Sequence, residues 1–470
     1  MTPASQTFLA PQAWVDGAWA HSVLLSVDAA GLWSGVQTNA SAADRQSADM
    51  LAGPVVPGVV NAHSHAFQRA IAGLTERRGG QGGGAASDDF WSWRDRMYTV
   101  AQRITPEQLE HIAALLYAEL LAAGYTQVCE FHYLHNPVGA SGGVAGHAHA
   151  DPLDMSMALV RAAQRVGMGL TLLPTLYMRS GFGAAGLRED QQRFASSPES
   201  ILRLVDDLQI QVRGLRNFNV GVAVHSLRAA DSAAMSEVAA FASAHHLPVH
   251  IHIAEQTQEV QDCIAHTGQR PIEWLLDHMP VNARWNLVHA THTTTQELQG
   301  IHAAGAAIVI CPSTEANLGD GVFDYAGYAA LGGNWSVGSD SHVTRSWTEE
   351  LRSLEYAQRL TQRKRNVAAQ QGANASTAAT LFEAALAGGH AATAQPLGGI
   401  AVGNRADFCV LDPQAPALLG VPPEHVLDAL VFSSPDALPK QVFVAGQPGA
   451  PGLWPGLARD FAHTMHGLWR

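Results

Sequence analysis

His63 and His65 stand two residues apart after an apolar run, Val55 to Val60, in PVVPGVVNAHSHAFQRAIAGLTERR. On an extended strand, side chains two apart leave the same face. The two imidazoles therefore emerge together, near enough to share one metal ion, for which neutral imidazole is the commonest ligand. The spacing returns in HIHIAEQ, where His250 and His252 are two apart and Glu255 follows three residues after His252. His289 lies in NLVHATH and Asp340 in SVGSDSH. His63, His65, His252 and Asp340 offer three nitrogens and one carboxylate oxygen, a set that suits zinc with water completing the site. Iron(II) and manganese(II) compete for the same donors, because affinity order alone does not fix the metal. A bound metal lowers the pKa of its water toward ~7. A neighbouring histidine or aspartate can take that proton, and a carboxylic acid can hand one to a leaving amine. His289, Asp340 and Glu255 supply those parts. Taken singly, each residue reads equally well as a hydrogen-bonded polar group of a core.

Bringing these residues together requires a scaffold, and the chain from residue 57 alternates strand with helix. Strands are expected at Val59–His65, Thr126–Tyr133, Leu170–Leu176, Val220–Leu227, Val249–Ile253, Asn286–Ala290, Ala307–Pro312 and Trp335–Ser339. Helices are expected at Pro106–Ala123, Pro152–Val166, Pro198–Val212, Ser232–His245 and Thr293–Ala304, several opening on Pro or a Ser/Thr/Asp cap. Eight such strands predict an α/β fold, a (β/α)8 TIM-like barrel, with a doubly wound open sheet as the competing arrangement. The barrel is preferred because His63, His65, Glu130, His132, His225, His250, His252, His289 and Asp340 cluster at strand C-termini, which in a barrel meet on one face.

Residues 1–56 read as short strands with an Asp-Gly hairpin in AWVDGAWA and a second hairpin in VLLSVDAAGLWSGV. Residues 396–456 return to short strands after a helical stretch at 372–395. The two chain ends are expected to build one small β-sandwich domain around a 57–395 barrel, followed by a 457–470 helix or tail. GGQGGGAASDD at 79–89 reads as a loop, and the pattern assigns no element to the stretch that carries Arg94.

The 470 residues are 47% hydrophobic, which suits one large domain with a small companion. A formal charge of -13 argues against nucleic acid or an anionic membrane as partner. Cys129, Cys263, Cys311 and Cys409 lie far apart, which fits neither a disulfide framework nor a cysteine zinc site. With no basic leader before an apolar core and no run of ~20 apolar residues, the sequence reads as a soluble cytoplasmic protein.

HSH after PGVVNA, HIHIAE, LVHATH and GSDSH together resemble the amidohydrolase superfamily. AFQRAIAGLTERR, DDFWSWRDRMY, EFHYLHN, VAVHSLRA, HIHIAEQTQEV and SDSHVTRSWTEELRSLEYAQRL are similar, more narrowly, to the formiminoglutamate deiminases of histidine degradation. The resemblance implies a zinc ion on His63, His65, His252 and Asp340. It implies water activation by His289 with Asp340, and protonation of the attacked nitrogen by Glu255. It places Gln68, Arg94, Tyr133, His225 and Arg228 against the substrate. The implied reaction is hydrolysis of N-formimino-L-glutamate to N-formyl-L-glutamate and ammonia, in a homodimer. Related two-metal barrels bridge their ions with a carboxylated lysine on a mid-barrel strand. The only lysines here, Lys364 and Lys440, follow the last barrel strand, which implies a single metal. The residues make sense of a small dicarboxylate partner, since arginine's planar fork suits carboxylates. The insertion at 79–89 is longer than the family pattern needs. Two alternatives stand beside this reading. A deaminase of a guanine-like or triazine ring would share the metal set but want stacking aromatics in place of two arginines. A non-catalytic barrel would be expected to lack a metal ligand.

Overall fold

The computed structural model describes residues 5–41, 44, 48–77, 89–136, 138, 151–369, 375–433, 438–449 and 451–470. Most of the Gly-rich stretch, residues 79–88, lies outside them. Eight parallel strands form one sheet in sequence order: β1 (Val59–Ser64), β2 (Tyr125–His132), β3 (Gly169–Leu176), β4 (Val222–Ser226), β5 (Val249–Ile253), β6 (Trp285–His289), β7 (Ala307–Ile310) and β8 (Asn334–Val337). The sheet curls until its ends meet. Just beyond β8, Asp340 forms a parallel bridge with Ser64 of β1, and its N–H donates to the His63 carbonyl at 3.0 Å. This is a nearly closed (β/α)8 TIM-like barrel, as the strand alternation predicts and the amidohydrolase resemblance implies. All eight strands are buried along their whole length but for Asn334, as strands covered on both faces must be.

The fourth strand departs from expectation. Val220–Leu227 does not run as one strand: Val220 ends a short strand, Phe218–Val220, that pairs separately with β3, and β4 begins at Val222. The break falls at Gly221, where a Cβ would lie 2.6 Å from Leu173 and 2.8 Å from Pro248. Only glycine permits that approach.

The helices start where their caps dictate. Before Pro106–Ala122, the Thr105 hydroxyl accepts from the Gln108 N–H at 3.2 Å while the Gln108 side chain accepts from the Thr105 N–H at 3.0 Å. This reciprocal pair, with Pro at the first helical position, satisfies amides that the helix itself leaves free. The helix buries Leu109, Ile112, Leu116 and Leu120, spaced to face one way. Each contributes ~1.5–3 kcal/mol of burial, so Leu116→Ala would cost ~2–5 kcal/mol.

Strands from both chain ends form a separate sheet, in which Phe408–Val410 joins Val55–Pro57 to Gln441–Val444. Its first hairpin turns at Asp16 and Gly17, both at positive φ (49° and 73°), the geometry an Asp-Gly turn supplies. Phe8, Trp33, Phe408 and Phe443 belong to its own core. Val56 and Pro57 pair within this sheet and the chain passes through Gly58 straight into β1, so the first barrel strand is anchored at its base. The helix Thr377–Thr393 packs on β1 and β8. The C-terminal helix Trp454–Leu468 packs on Pro106–Ala122, and beyond it the Trp469 indole N–H donates to the Ala70 carbonyl at 3.0 Å. No helix among the described residues is long and apolar enough to cross a membrane.

Candidate active site

The C-terminal strand ends carry the polar residues as expected, and the chain there turns through unusual backbone. Ala254, His289, Ala290, Asp340 and His342 all lie at positive φ, between 44° and 70°. Left-handed backbone is costly for residues with a Cβ and concentrates where side-chain aim matters. Neighbouring groups hold these turns. Asn61 ties β1 to the turn after β8, giving its amide to Ser339 Oγ at 2.7 Å and accepting the Ser339 N–H at 2.9 Å. His342 Nε2–H donates to the His65 carbonyl at 3.1 Å. Glu130 accepts from Ser64 Oγ (2.7 Å), the Ala66 N–H (2.6 Å) and the Tyr117 hydroxyl (3.0 Å), clamping the backbone on either side of His65.

His63, His65, His252 and Asp340 converge. His63 Nε2 lies 3.1 Å from His65 Nε2 and 3.0 Å from His252 Nε2, and Asp340 Oδ1 is 3.4 and 3.3 Å from the Nε2 atoms of His63 and His65. The tautomers follow from the other ring nitrogens. His65 Nδ1 sits 2.9 Å from the Phe131 carbonyl and His252 Nδ1 2.9 Å from the His225 carbonyl. Carbonyls only accept, so both Nδ1 atoms carry the proton and both Nε2 atoms present lone pairs. One proton on His63 Nε2 can serve only one of them. A cation among these nitrogens satisfies all three, so the donor set fits a metal ion. Burial keeps the imidazoles neutral, the ligand form: His63 is pushed down to about 3, His65 is lowered and His252 lies well below the usual range. Burial opposes ionisation of Asp340, yet the hydrogen bond and charge of His63, with His65 and His289, hold its carboxyl below the usual carboxylate range.

His250 shares the parity of His252 but sits one layer deeper. Its Nε2–H donates to the Ala392 carbonyl at 2.8 Å, which makes it a satisfied interior group.

Beside the cluster lies a proton-handling group. His289 Nε2 is 3.7 Å from Glu255 Oε1 and 3.9 Å from Asp340 Oδ2, while its Nδ1 faces Glu315 Oε1 at 3.3 Å. Burial raises Glu255 to about 7. For His289, burial lowers the pKa, but Glu255, Glu315 and Asp340 outweigh it and raise the imidazole to about 10. A dication on the adjacent nitrogens opposes that charge. The buried Glu259 accepts the Ala254 and Glu255 N–H groups, both at 3.3 Å, and so fixes the turn that carries Glu255. Glu315 and Asp320 belong to this group and escaped the sequence reading. Both follow β7, in STEANLGD, where a helix from Pro312 to Leu318 brings them back over the barrel mouth.

The third group carries two guanidiniums among polar side chains. Gln68, Arg94, Tyr133, His225 and Arg228 line one cavity with Glu255, His289 and, from the metal cluster, His65, His252 and Asp340. Gln68 Nε2 donates to the Tyr133 hydroxyl at 3.2 Å, leaving that hydroxyl's own proton to offer. The Arg228 guanidinium donates one hydrogen bond among the described residues, from Nε–H to Ser226 Oγ (3.3 Å), and its Nη1 is buried without a partner, as is Arg94 Nε. Glu259 and Glu255 offset the cost of burial and keep Arg228 charged. Among the described residues the only carboxylate within 4.0 Å of either guanidinium is that of Asp95, 4.0 Å from Arg94; Glu255 and Glu259 act on Arg228 from farther away. Arg94 stands in the first turns of the helix Phe90–Ala101, capped by Asp89 with Ser92. Of the sequence-selected residues, His65, Gln68, Arg94, Tyr133, His225, Arg228, His252, Glu255, His289 and Asp340 line this cavity, while His63 lies behind it against His65 and His252 and His250 lies deeper.

Residues 55–449 match the Amidohydrolase family. The chain belongs to that family. A formimidoylglutamate deiminase of Pseudomonas aeruginosa is 44% identical over 438 residues, covering 93% of both chains. A crystal structure of an amidohydrolase from Brucella melitensis aligns with TM-score 0.90 and 41% identity over 99% of this chain and 100% of that one. An 8-oxoguanine deaminase of Pseudomonas aeruginosa is 26% identical, covering 65% of this chain and 64% of its own. As an amidohydrolase with this relative, the chain is a hydrolase acting on C–N bonds, and its histidine–aspartate cluster is where a metal of that family fits.

Proposed function

We propose that this amidohydrolase hydrolyses N-formimino-L-glutamate to N-formyl-L-glutamate and ammonia, a step of histidine degradation. The observation that carries the reading is the pair of guanidiniums, buried Arg228 and half-buried Arg94, each with an unpartnered buried nitrogen and no carboxylate closer than 4.0 Å, beside a metal-ready cluster. An unpaired buried charge is costly unless a ligand completes it, and a dicarboxylate completes two. The 44% identity to a formimidoylglutamate deiminase supports the same substrate.

His63, His65, His252 and Asp340 are read as the ligands of one zinc ion. When bound, such an ion lowers the pKa of water toward ~7 and so supplies a nucleophile at neutral pH. Arg94 and Arg228 hold the carboxylates, and Gln68, Tyr133 and His225 close around the formimino end. This fixes the attacked carbon near His289. His289, with Asp340, takes the proton of the attacking water. Glu255, whose burial favours its protonated form, delivers one proton to the terminal nitrogen. The proton taken from water by His289 and Asp340 follows to that nitrogen as the carbon–nitrogen bond breaks, and ammonia departs. The other water proton, left on the new oxygen, returns Glu255 to its protonated form.

Steady-state ammonia release from formimino-L-glutamate tests the proposal. Turnover of guanine or a triazine with none of formimino-L-glutamate would replace it. The chain is further proposed to be a cytoplasmic homodimer. All four cysteines are buried and free, which suits a reducing compartment, and the dimer follows from the family resemblance. Light scattering of the purified protein checks the dimer.

A further inference from the structure

Arg94 and Arg228 reach the cavity from different parts of the chain, one on the helix Phe90–Ala101 and one in the loop after β4. Their guanidinium carbons nevertheless share one ring. Arg94 Cζ lies 4.5 Å and Arg228 Cζ 5.4 Å from the centroid of the half-buried Trp91 indole. Phe90 faces Arg228 at 5.8 Å and Tyr98 faces Arg94 at 5.5 Å. The ring's negative face attracts a guanidinium without occupying its N–H donors. A carboxylate in the same place would consume the donors and neutralise the charge that an anionic ligand needs. Arg94 Nε and Arg228 Nη1 are buried and free of hydrogen bonds, so the aromatic support leaves each guanidinium an unused donor.

We propose that Trp91 is a positioning residue that sets the separation of Arg94 and Arg228, and thereby selects a dicarboxylate whose two carboxylates span that separation. The inference deepens the proposed function and rests on it: the indole favours the glutamate chain over the aspartate chain, one methylene shorter. Discrimination of one methylene is ordinarily worth about 10–200-fold.

The test uses metal-loaded full-length protein, calorimetry with glutarate and succinate, and ammonia release from formimino-L-glutamate. Trp91→Leu is expected to weaken glutarate binding about tenfold and to bring the glutarate and succinate affinities within about twofold of one another. Its KM rises about tenfold while kcat stays within about twofold. Trp91→Phe keeps an aromatic face and is expected to remain within about threefold of wild type in both assays. Should Trp91→Leu fail to fold, Trp91→Met is read the same way. Wild-type affinity for glutarate in the ring-less variant overturns the proposal, as does equal damage in Trp91→Phe. Wild-type protein that prefers glutarate but releases no ammonia from formimino-L-glutamate overturns the reaction and leaves the role of Trp91 standing. Wild-type turnover with an unchanged KM in Trp91→Leu does the reverse.

Discussion

The two sides of the cavity are built on different principles. The histidine–aspartate side sits on strand ends or the turns directly after them, with His65 and His252 aimed by backbone carbonyls and Asp340 locked into the closing bridge of the barrel. The anion side rests on a helix start and a loop, where Arg94 and Arg228 lean on aromatic rings. A carbonyl fixes a ring nitrogen to within a few tenths of an ångström, whereas a ring face accepts a guanidinium over a broad range. Bond-making groups therefore sit where the scaffold is least yielding, and ligand-selecting groups sit where sequence change is best tolerated.

If that contrast is right, damage to the strand-end side should abolish turnover, and damage to the arginine side should weaken binding. Chelation of the metal is expected to have the largest effect, lowering ammonia release by roughly 10⁴-fold or more, with recovery on adding zinc. Undiminished activity in metal-free protein would break the comparison at its base. Glu255→Gln should follow, losing about 10²–10⁴-fold in kcat with one metal still bound per chain by elemental analysis. Arg228→Ala should instead raise KM by about 10–100-fold, the worth of a charge-assisted hydrogen bond, at unchanged metal content. A loss confined to kcat would place Arg228 on the wrong side.

The smallest effect concerns a brace of the strand-end side. Glu350 accepts the Ser313 N–H at 2.9 Å and its hydroxyl at 2.6 Å, holding the start of the helix that carries Glu315 to His289. Burial pushes the Glu350 carboxyl from its ordinary 4.5 up to about 8. The folded chain thus binds this proton more tightly than the unfolded chain. Its contribution to stability is fully present below pH ~4.5 and is lost as pH rises through about 8. Between pH 5 and 8 the Tm of wild type should fall by about a few degrees more than that of Glu350→Gln. Parallel pH profiles would show that Glu350 titrates alike in both states.

Residue spacing decided a great deal on its own. His-x-His on an apolar run fixes which side chains share a strand face, because strand parity is a local property of the backbone. Threonine, serine, aspartate and proline placed most helix starts within a residue or two, because capping is satisfied within one turn. The Asp89–Ser92 capping pair was equally local, and the Gly-rich insertion before it hid the helix start. Other features had no local signature. Which of His250 and His252 stands at the cluster depends on depth in the barrel, and His250 is taken up by the carbonyl of Ala392, 142 residues later in the chain. The strand break at Gly221 comes from crowding by Leu173 and Pro248, which only the closed barrel creates. Glu315 and Asp320 reach His289 by a turn of helix after β7, and Arg94 meets Arg228 over one indole. These are encounters between distant segments, and their energies depend on distance and burial that only the folded chain supplies.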